Sequence, residues 1–131
     1  MAHLITFRSS QFDIGAEPPH PVNPIAGESV LRWLRGQLLM RDFAVTDVAA
    51  EDWGWYVEVT LGEAVYLVGL SAEPAYGSTV ECKVQIERHR AFMERLTGAG
   101  RMSIDDPLST AIESIIRNVP DASRVEVQRA A

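Results

Sequence analysis

The sequence predicts an α+β fold, a two-layer antiparallel sheet of about five strands with helices packed on one face, in the order β-α-β-β-β-β-α-α. Three observations lead there. Val80, Cys82, Val84 and Ile86 alternate with Glu81, Lys83, Gln85 and Glu87, the period-two signature of a half-buried strand. Val30, Leu31, Leu34 and Leu38 recur at the offsets that place them along one helical stripe. Asp106-Pro107 joins a capping side chain to a proline at the first helical position, ahead of the apolar face Leu108, Ile112, Ile115, Ile116 and Val119.

Taken in order, residues 3–8 carry Ile5 and Phe7 on one face and read as a first strand. Residues 17–24 hold Pro18, Pro19, Pro21 and Pro24, which remove backbone donors and impose a stiff, extended connector. A helix follows from Ala26 or Gly27, with Glu28 at the positive end of its dipole, Trp33 beside the apolar stripe and Arg41 at the other end. Phe43, Val45 and Val48 suggest one strand ending before Glu51. Trp55, Val57 and Val59 then alternate with Tyr56, Glu58 and Thr60, and Leu61-Gly62-Glu63 makes a tight turn. Residues 65–70 are apolar on both faces, as in a strand with neighbours on either side, and Gly77-Ser78 turns into the strand around Cys82. Arg88 to Leu96 reads as a short helix with His89 at its start, stopped by Gly98 and Gly100. Residues 121–131 are either an added edge strand through Val125 and Val127 or a frayed tail.

A length of 131 residues suits a single domain spanning residues 1–131, and 47% hydrophobic against 23% charged residues excludes a disordered chain. The formal net charge of −6, with basic residues scattered singly, excludes the basic stripe that a nucleic-acid backbone requires; such acidity serves solubility or favours a basic protein or ligand. Lys83 is the one lysine among 12 basic residues, a skew toward arginine that points to a GC-rich bacterial genome. No stretch approaches the roughly 20 apolar residues of a membrane helix, and the start lacks a signal-peptide pattern, so a cytoplasmic protein without a membrane partner is expected.

The densest chemistry lies in Glu51-Asp52-Trp53-Gly54-Trp55-Tyr56. Indole rings beside carboxylates can bind cations, sugars or a protein surface. Equally, Trp55 shares a strand face with Val57 and Val59 and fits the core, while Asp52 fits a turn that bonds its own backbone. Trp53 and Tyr56 are the expected reachable rings. Adjacent Glu51 and Asp52 point apart along a strand, which does not suit paired-carboxylate hydrolysis, and Asp105-Asp106 is accounted for by capping. His3, His20 and His89 share no ligand spacing, so a metal site would have to be assembled by folding. His20 is expected to be exposed among its prolines. Cys82, the lone cysteine, falls on the apolar phase of its strand and reads as a buried, inert thiol. No nucleophile elbow or phosphate-binding glycine loop is present, and no motif requires a cofactor.

The run Asn23-Pro24-Ile25 before Gly27-Glu28-Ser29, the helix with Trp33-Leu34, and residues 51–56 followed by Tyr66 and Gly69 resemble a group of small uncharacterised bacterial proteins over most of residues 5–119. That resemblance implies a bacterial cytosolic protein and no particular activity. The Glu-Asp-Trp-Gly-Trp string is also similar to segments of small immunity proteins of bacterial toxin systems.

Together these readings favour a non-enzymatic, protein-binding or immunity-like protein acting through an acidic and aromatic surface of Glu51, Asp52, Trp53, Tyr56, Glu58, Glu81 and Glu87, with His20 on the adjoining proline ledge. The alternatives are a small-molecule or metal-dependent enzyme that uses Glu51 or Asp52, with its pocket between the 28–40 helix and the sheet, and a structural homodimer joined through the edge near Val125 and Val127.

Overall fold

Alternation of apolar and polar residues dictates a sheet whose strands each bury one face, and the computed structural model, which describes residues 3–21, 25–89 and 102–129, has that sheet as its frame. Its strands are β1 (His3–Ser9), β2 (Ala44–Val45), β3 (Ala49–Glu51), β4 (Gly54–Leu61), β5 (Ala64–Tyr76), β6 (Thr79–Arg88) and β7 (Ser123–Arg129). Every pairing is antiparallel, in the order β2-β4-β5-β6-β1-β7, with β3 also on β4. Among the described residues two helices, α1 (Glu28–Met40) and α2 (Pro107–Arg117), pack on one face, and a 3₁₀ turn occupies Ile14–Ala16.

The core lies between these layers. Ile5, Phe7, Val57, Val59, Val68, Leu70, Val84 and Ile86 of the sheet meet Val30, Leu31, Leu34 and Leu38 of α1 and Leu108, Ile112 and Ile116 of α2. The α+β class and the helical faces agree with the sequence. Among the described residues the strands number seven rather than about five, and two local causes account for the difference.

The strand expected through Phe43, Val45 and Val48 is broken in two. Thr46 N–H donates to Glu58 O and Thr46 Oγ accepts from Glu58 N–H at 2.8 Å, so a side chain replaces a ladder partner there. Arg35 then takes Thr46 O at 2.7 Å and Asp47 at 3.2 Å, drawing the chain toward α1 before it returns as β3. At the other edge, the stretch left open between strand and tail is a strand. Arg129 bonds the Glu113 carboxylate and Ile104 O, and Asp121 accepts from Ser9 Oγ, Ser10 N–H and Ser10 Oγ.

The helix expected over 88–96 lies outside the described residues except for its first two positions, and these are not helical. Arg88 closes β6, and His89 N–H donates to Val65 O at 2.8 Å, because β6 follows β5 to the end of its alternation. The strand expected over 65–70 continues to Tyr76, with Ala72 still buried and an extra residue opposite Val80 and Thr79. Among the described residues no second layer packs on its outer side, where Val65 and Leu67 are half-buried.

Both helix starts are fixed by carboxylates. Gly27 caps α1 without a side chain, and Glu17 supplies the missing acceptor from the proline-rich connector. Its Oε1 accepts from Gly27 N–H and Glu28 N–H at 2.9 and 3.2 Å, and its Oε2 from Ser29 N–H at 2.9 Å and from Ser29 Oγ. A carboxylate there satisfies orphan donors and complements the helix dipole. Asp106 caps α2 through Leu108 N–H and Ser109 N–H at 3.1 and 3.0 Å, and its other oxygen accepts from Tyr66 Oη at 2.8 Å. Ser109 Oγ lies 2.8 Å from His3 Nδ1, so a buried polar cluster ties α2 to β5 and β1.

Burial, followed by the hydrogen bond to Asp106 and the charge of that carboxylate, pushes the Tyr66 phenol up to about 12. A phenol that ionises less readily when folded contributes stability that is complete below its unfolded value of 10.0 and declines as pH rises toward about 12. Tyr66→Phe is expected to cost about 1–3 kcal/mol at neutral pH through the acceptor it strands, and to flatten the alkaline decline, as checked by denaturant titrations across that window.

The ionised carboxylates that hold β7 act in the opposite direction. The Arg117 hydrogen bond, with further help from Arg129, holds Glu113 below its usual range, and donors from Ser10 and Ser9 do the same for Asp121. Groups depressed on folding contribute above their unfolded values and lose that contribution as pH falls through the folded ones. Acidification through the carboxylate range should therefore release β7 first, seen as faster amide exchange at 123–129 than in β4, β5 and β6.

Candidate functional site

The hairpin between β3 and β4 pairs Glu51 with Gly54 and leaves Asp52-Trp53 at its tip. Gly54 adopts φ +156°, and a Cβ there would meet Leu70 O at 2.7 Å, so the turn can close onto β5 only with glycine at this position. Beyond it alternation resumes, with Trp55 on the helix-covered face and Tyr56 on the opposite face.

Trp53 folds back across that opposite, outer face of the sheet. Its six-membered ring rests over Gly69, where a Cβ would come within 2.4 Å of Cη2 and 2.5 Å of Cζ3. A glycine inside a strand marks such a close approach. The indole is nonetheless 43% exposed, against 5% for Trp55, and its centroid is 6.5 Å from that of Tyr56 at a 45° tilt. Trp53 is thus a seated but reachable aromatic side chain.

Beside Trp53 runs an open groove of about 550 Å³. Ile25 also lines it, Ser71 and Thr6 contribute hydroxyls, and Glu73, Glu81, Glu126 and Lys83 supply its charges. Strand register explains the assembly: Ser71 pairs with Lys83, Lys83 with Thr6 and Thr6 with Glu126, one row across β5, β6, β1 and β7. The next row sets Glu73 directly opposite Glu81 and Glu81 opposite Arg8. Arg8 Nε lies 3.6 Å from Glu81 Oε1, and its guanidinium carbon sits 5.7 Å from the centre of the Tyr76 ring. This half-exposed pair is worth at most about 1 kcal/mol.

The residues singled out in the sequence divide into three sets. Trp53, Tyr56, Glu58, Glu81 and Glu87 share the outer face, with Glu81 paired to Arg8. Glu51 and Asp52 are exposed in the hairpin, and neither lines the groove. His20 was expected to be exposed and is half-buried instead. Its ring packs edge-on against Trp55 at 4.9 Å and its Nε2 lies 3.1 Å from Gly54 O, so it pins the proline-rich connector to the start of β4. Trp55 Nε1–H reinforces that junction by donating to Ile25 O at 3.4 Å.

Glu73, Ser71, Thr6 and Glu126 escaped sequence reasoning because they become neighbours only when β5 is extended and β1 lies between β6 and β7. The available signals were Gly69 within an apolar strand and the continued alternation through Ser71 and Glu73.

Two further clefts are lined by described residues, one at the 3₁₀ turn against the β5–β6 turn and one between Phe12, Trp33 and the end of α2. Neither Glu51, Asp52 nor a histidine lines them or the groove, and the space between α1 and the sheet is occupied by core side chains. Among the described residues, no group of three or more His, Cys, Asp or Glu side chains is placed to hold a metal ion, and no helix is long and apolar enough to cross a membrane. Cys82 is buried, and desolvation, with Glu17 and Glu81 nearby, pushes its thiol up to about 12, so the reactive thiolate is disfavoured.

No family model, curated protein or solved structure matches the chain.

The seat under Trp53 gives a direct test. In Gly69→Ala the new Cβ displaces the far end of a surface side chain rather than backbone, so the fold should persist with a loss of about 1 kcal/mol or less. The Trp53 indole N–H resonance should move, while those of Trp33 and Trp55 stay in place. An unmoved Trp53 signal would remove the seat from the argument.

Proposed function

We propose that this chain is a non-enzymatic protein-binding protein, immunity-like in character and bacterial and cytosolic in setting, that engages a basic partner through the outer face of its sheet. The observation that carries the reading is Trp53, an indole held on a glycine seat and left 43% exposed beside the acidic groove. Protein interfaces concentrate their energy in a few aromatic or arginine anchors inside a polar rim, and Trp53 with Tyr56 inside Glu58, Glu81 and Glu87 fits that pattern. Carboxylates on the rim would accelerate encounter with a basic surface, in a salt-dependent way. The bacterial setting rests on the resemblance and on the skew toward arginine, and the cytosolic one on sequence readings rather than on the fold.

The enzyme alternative built on Glu51 or Asp52 draws no support from the three clefts lined by described residues, which neither acid lines. A homodimer through the β7 edge would have to pair beside the register shift opposite Thr6 and Arg8, where Arg124 has φ +50°. Bulges of this kind disfavour edge-to-edge pairing.

The test is capture from a bacterial lysate with wild type, Trp53→Ala and Tyr56→Ala, after melting curves show all three folded. A stoichiometric basic partner, retained by wild type and weakened by roughly tenfold or more in Trp53→Ala, is expected. Identical retention by all three proteins would dismiss this face as the binding surface.

A further inference from the structure

The groove carries an internal conflict that the fold does not require. Glu73 and Glu81 stand directly opposite each other on β5 and β6, and like charges in that relation are destabilising. Arg8 compensates only Glu81, at 3.6 Å. Among the described residues, the Glu73 and Glu126 side chains take no hydrogen bond or ion pair, and no carboxylate lies within ion-pair distance of Lys83. An exposed indole stands at the other end of the same groove. A cation delivered between the indole and the carboxylates would relieve the repulsion, desolvate little and gain the ring.

We propose that the groove beside Trp53 receives an arginine side chain from the protein partner, an inference that rests on the protein-binding reading above and specifies its anchor. Arginine fits better than lysine for two reasons. The long apolar stem of an arginine can lie along the indole while its planar fork reaches the two facing carboxylates at the other end, Glu73 and Glu81. It is also more weakly hydrated than an ammonium, so entering a groove that already contains the Lys83 ammonium costs it less. The volume of about 550 Å³ admits the guanidinium together with part of the flanking chain. Thr6 and Ser71 offer hydroxyl acceptors at the groove.

The assignment fixes the sign of three substitutions. Glu73→Gln should raise the melting temperature of the free protein, because it removes the facing like charge, and should weaken the ligand at the same time. Lys83→Gln should strengthen the ligand. Trp53→Phe keeps an aromatic ring and should retain part of the affinity that Trp53→Ala loses. A residue that merely maintained the fold would not raise stability and lower binding in a single change.

The experiment follows the three indole N–H resonances of the ¹⁵N-labelled protein, assigned through Trp53→Phe, during titration with a short arginine-rich peptide and with its lysine and glutamate counterparts. The expected result is a saturable shift of the Trp53 signal with the arginine peptide, a weaker response to lysine and none to glutamate. Roughly threefold or greater weakening in Glu73→Gln and strengthening in Lys83→Gln complete the pattern. Equal binding of the glutamate peptide, reversed signs for Glu73→Gln and Lys83→Gln, or a Trp53 signal unmoved at millimolar arginine peptide would overturn the assignment. If the peptide fails while a protein partner is still captured through Trp53, the arginine anchor falls and the binding surface stands. If the peptide binds as described but no partner is captured, the groove is a cation site and the protein-binding reading is the part that fails.

Discussion

The close approach of three backbone segments around residues 69–72 of β5 is the constraint on which the candidate surface depends. Gly54 brings the start of β4 against Leu70 O, Gly69 clears room for Trp53, and Ala26 reaches Ala72 N–H at 2.9 Å immediately before α1 begins. At Gly54 and Gly69 a hydrogen atom occupies the space where any other residue would place a carbon. The turn of the β3–β4 hairpin, the origin of α1 and the position of the exposed indole are therefore fixed by one stretch of one strand. A change that swells this stretch would disturb the helix entry and the aromatic surface together, although the two lie on opposite faces of the sheet.

A second set of polar contacts fastens the other end of the helical layer. Tyr66, Asp106, Ser109 and His3 are all buried, and through them α2 is attached to β5 and β1 by directional bonds as well as apolar packing. Such clusters contribute little net energy when satisfied and are costly when broken, so they act chiefly to select one arrangement of helix on sheet. The Glu17 carboxylate plays the corresponding part for α1. It also explains why the proline-rich connector stays close to the body, since Glu17 holds one point of that segment and His20 another.

Much of this arrangement was legible in the sequence because its signals are local. The stripe Val30, Leu31, Leu34 and Leu38, the Asp106-Pro107 cap and the alternation around Cys82 depend on neighbours within one or two turns or strand repeats, and each appears where its pattern puts it. The boundaries that shifted depend on partners distant in the chain. β2 and β3 separate because Thr46 and Arg35 form hydrogen bonds that no periodicity encodes. His20, which reads as a solvated residue among prolines, is drawn in by a ring 35 positions away, and the groove combines strands from both ends of the chain. Alternation assigns Trp55 inward and left Trp53 and Tyr56 as the reachable rings, of which Trp53 is exposed and Tyr56 half-buried; Glu73 and Glu126 required the register.

The way the sheet ends has a consequence for how the molecule behaves in a crowd. An antiparallel sheet with one uncovered face is exposed to strand-by-strand growth, in which each free edge templates another copy. Here one border is divided into two short strands, and the other contains an extra residue with Arg124 in a left-handed conformation. Neither border offers a long, regular ladder of unpaired amides and carbonyls. The outer face can therefore remain bare at high concentration without the sheet extending into a fibre, and contacts made there discriminate by side chain rather than by backbone.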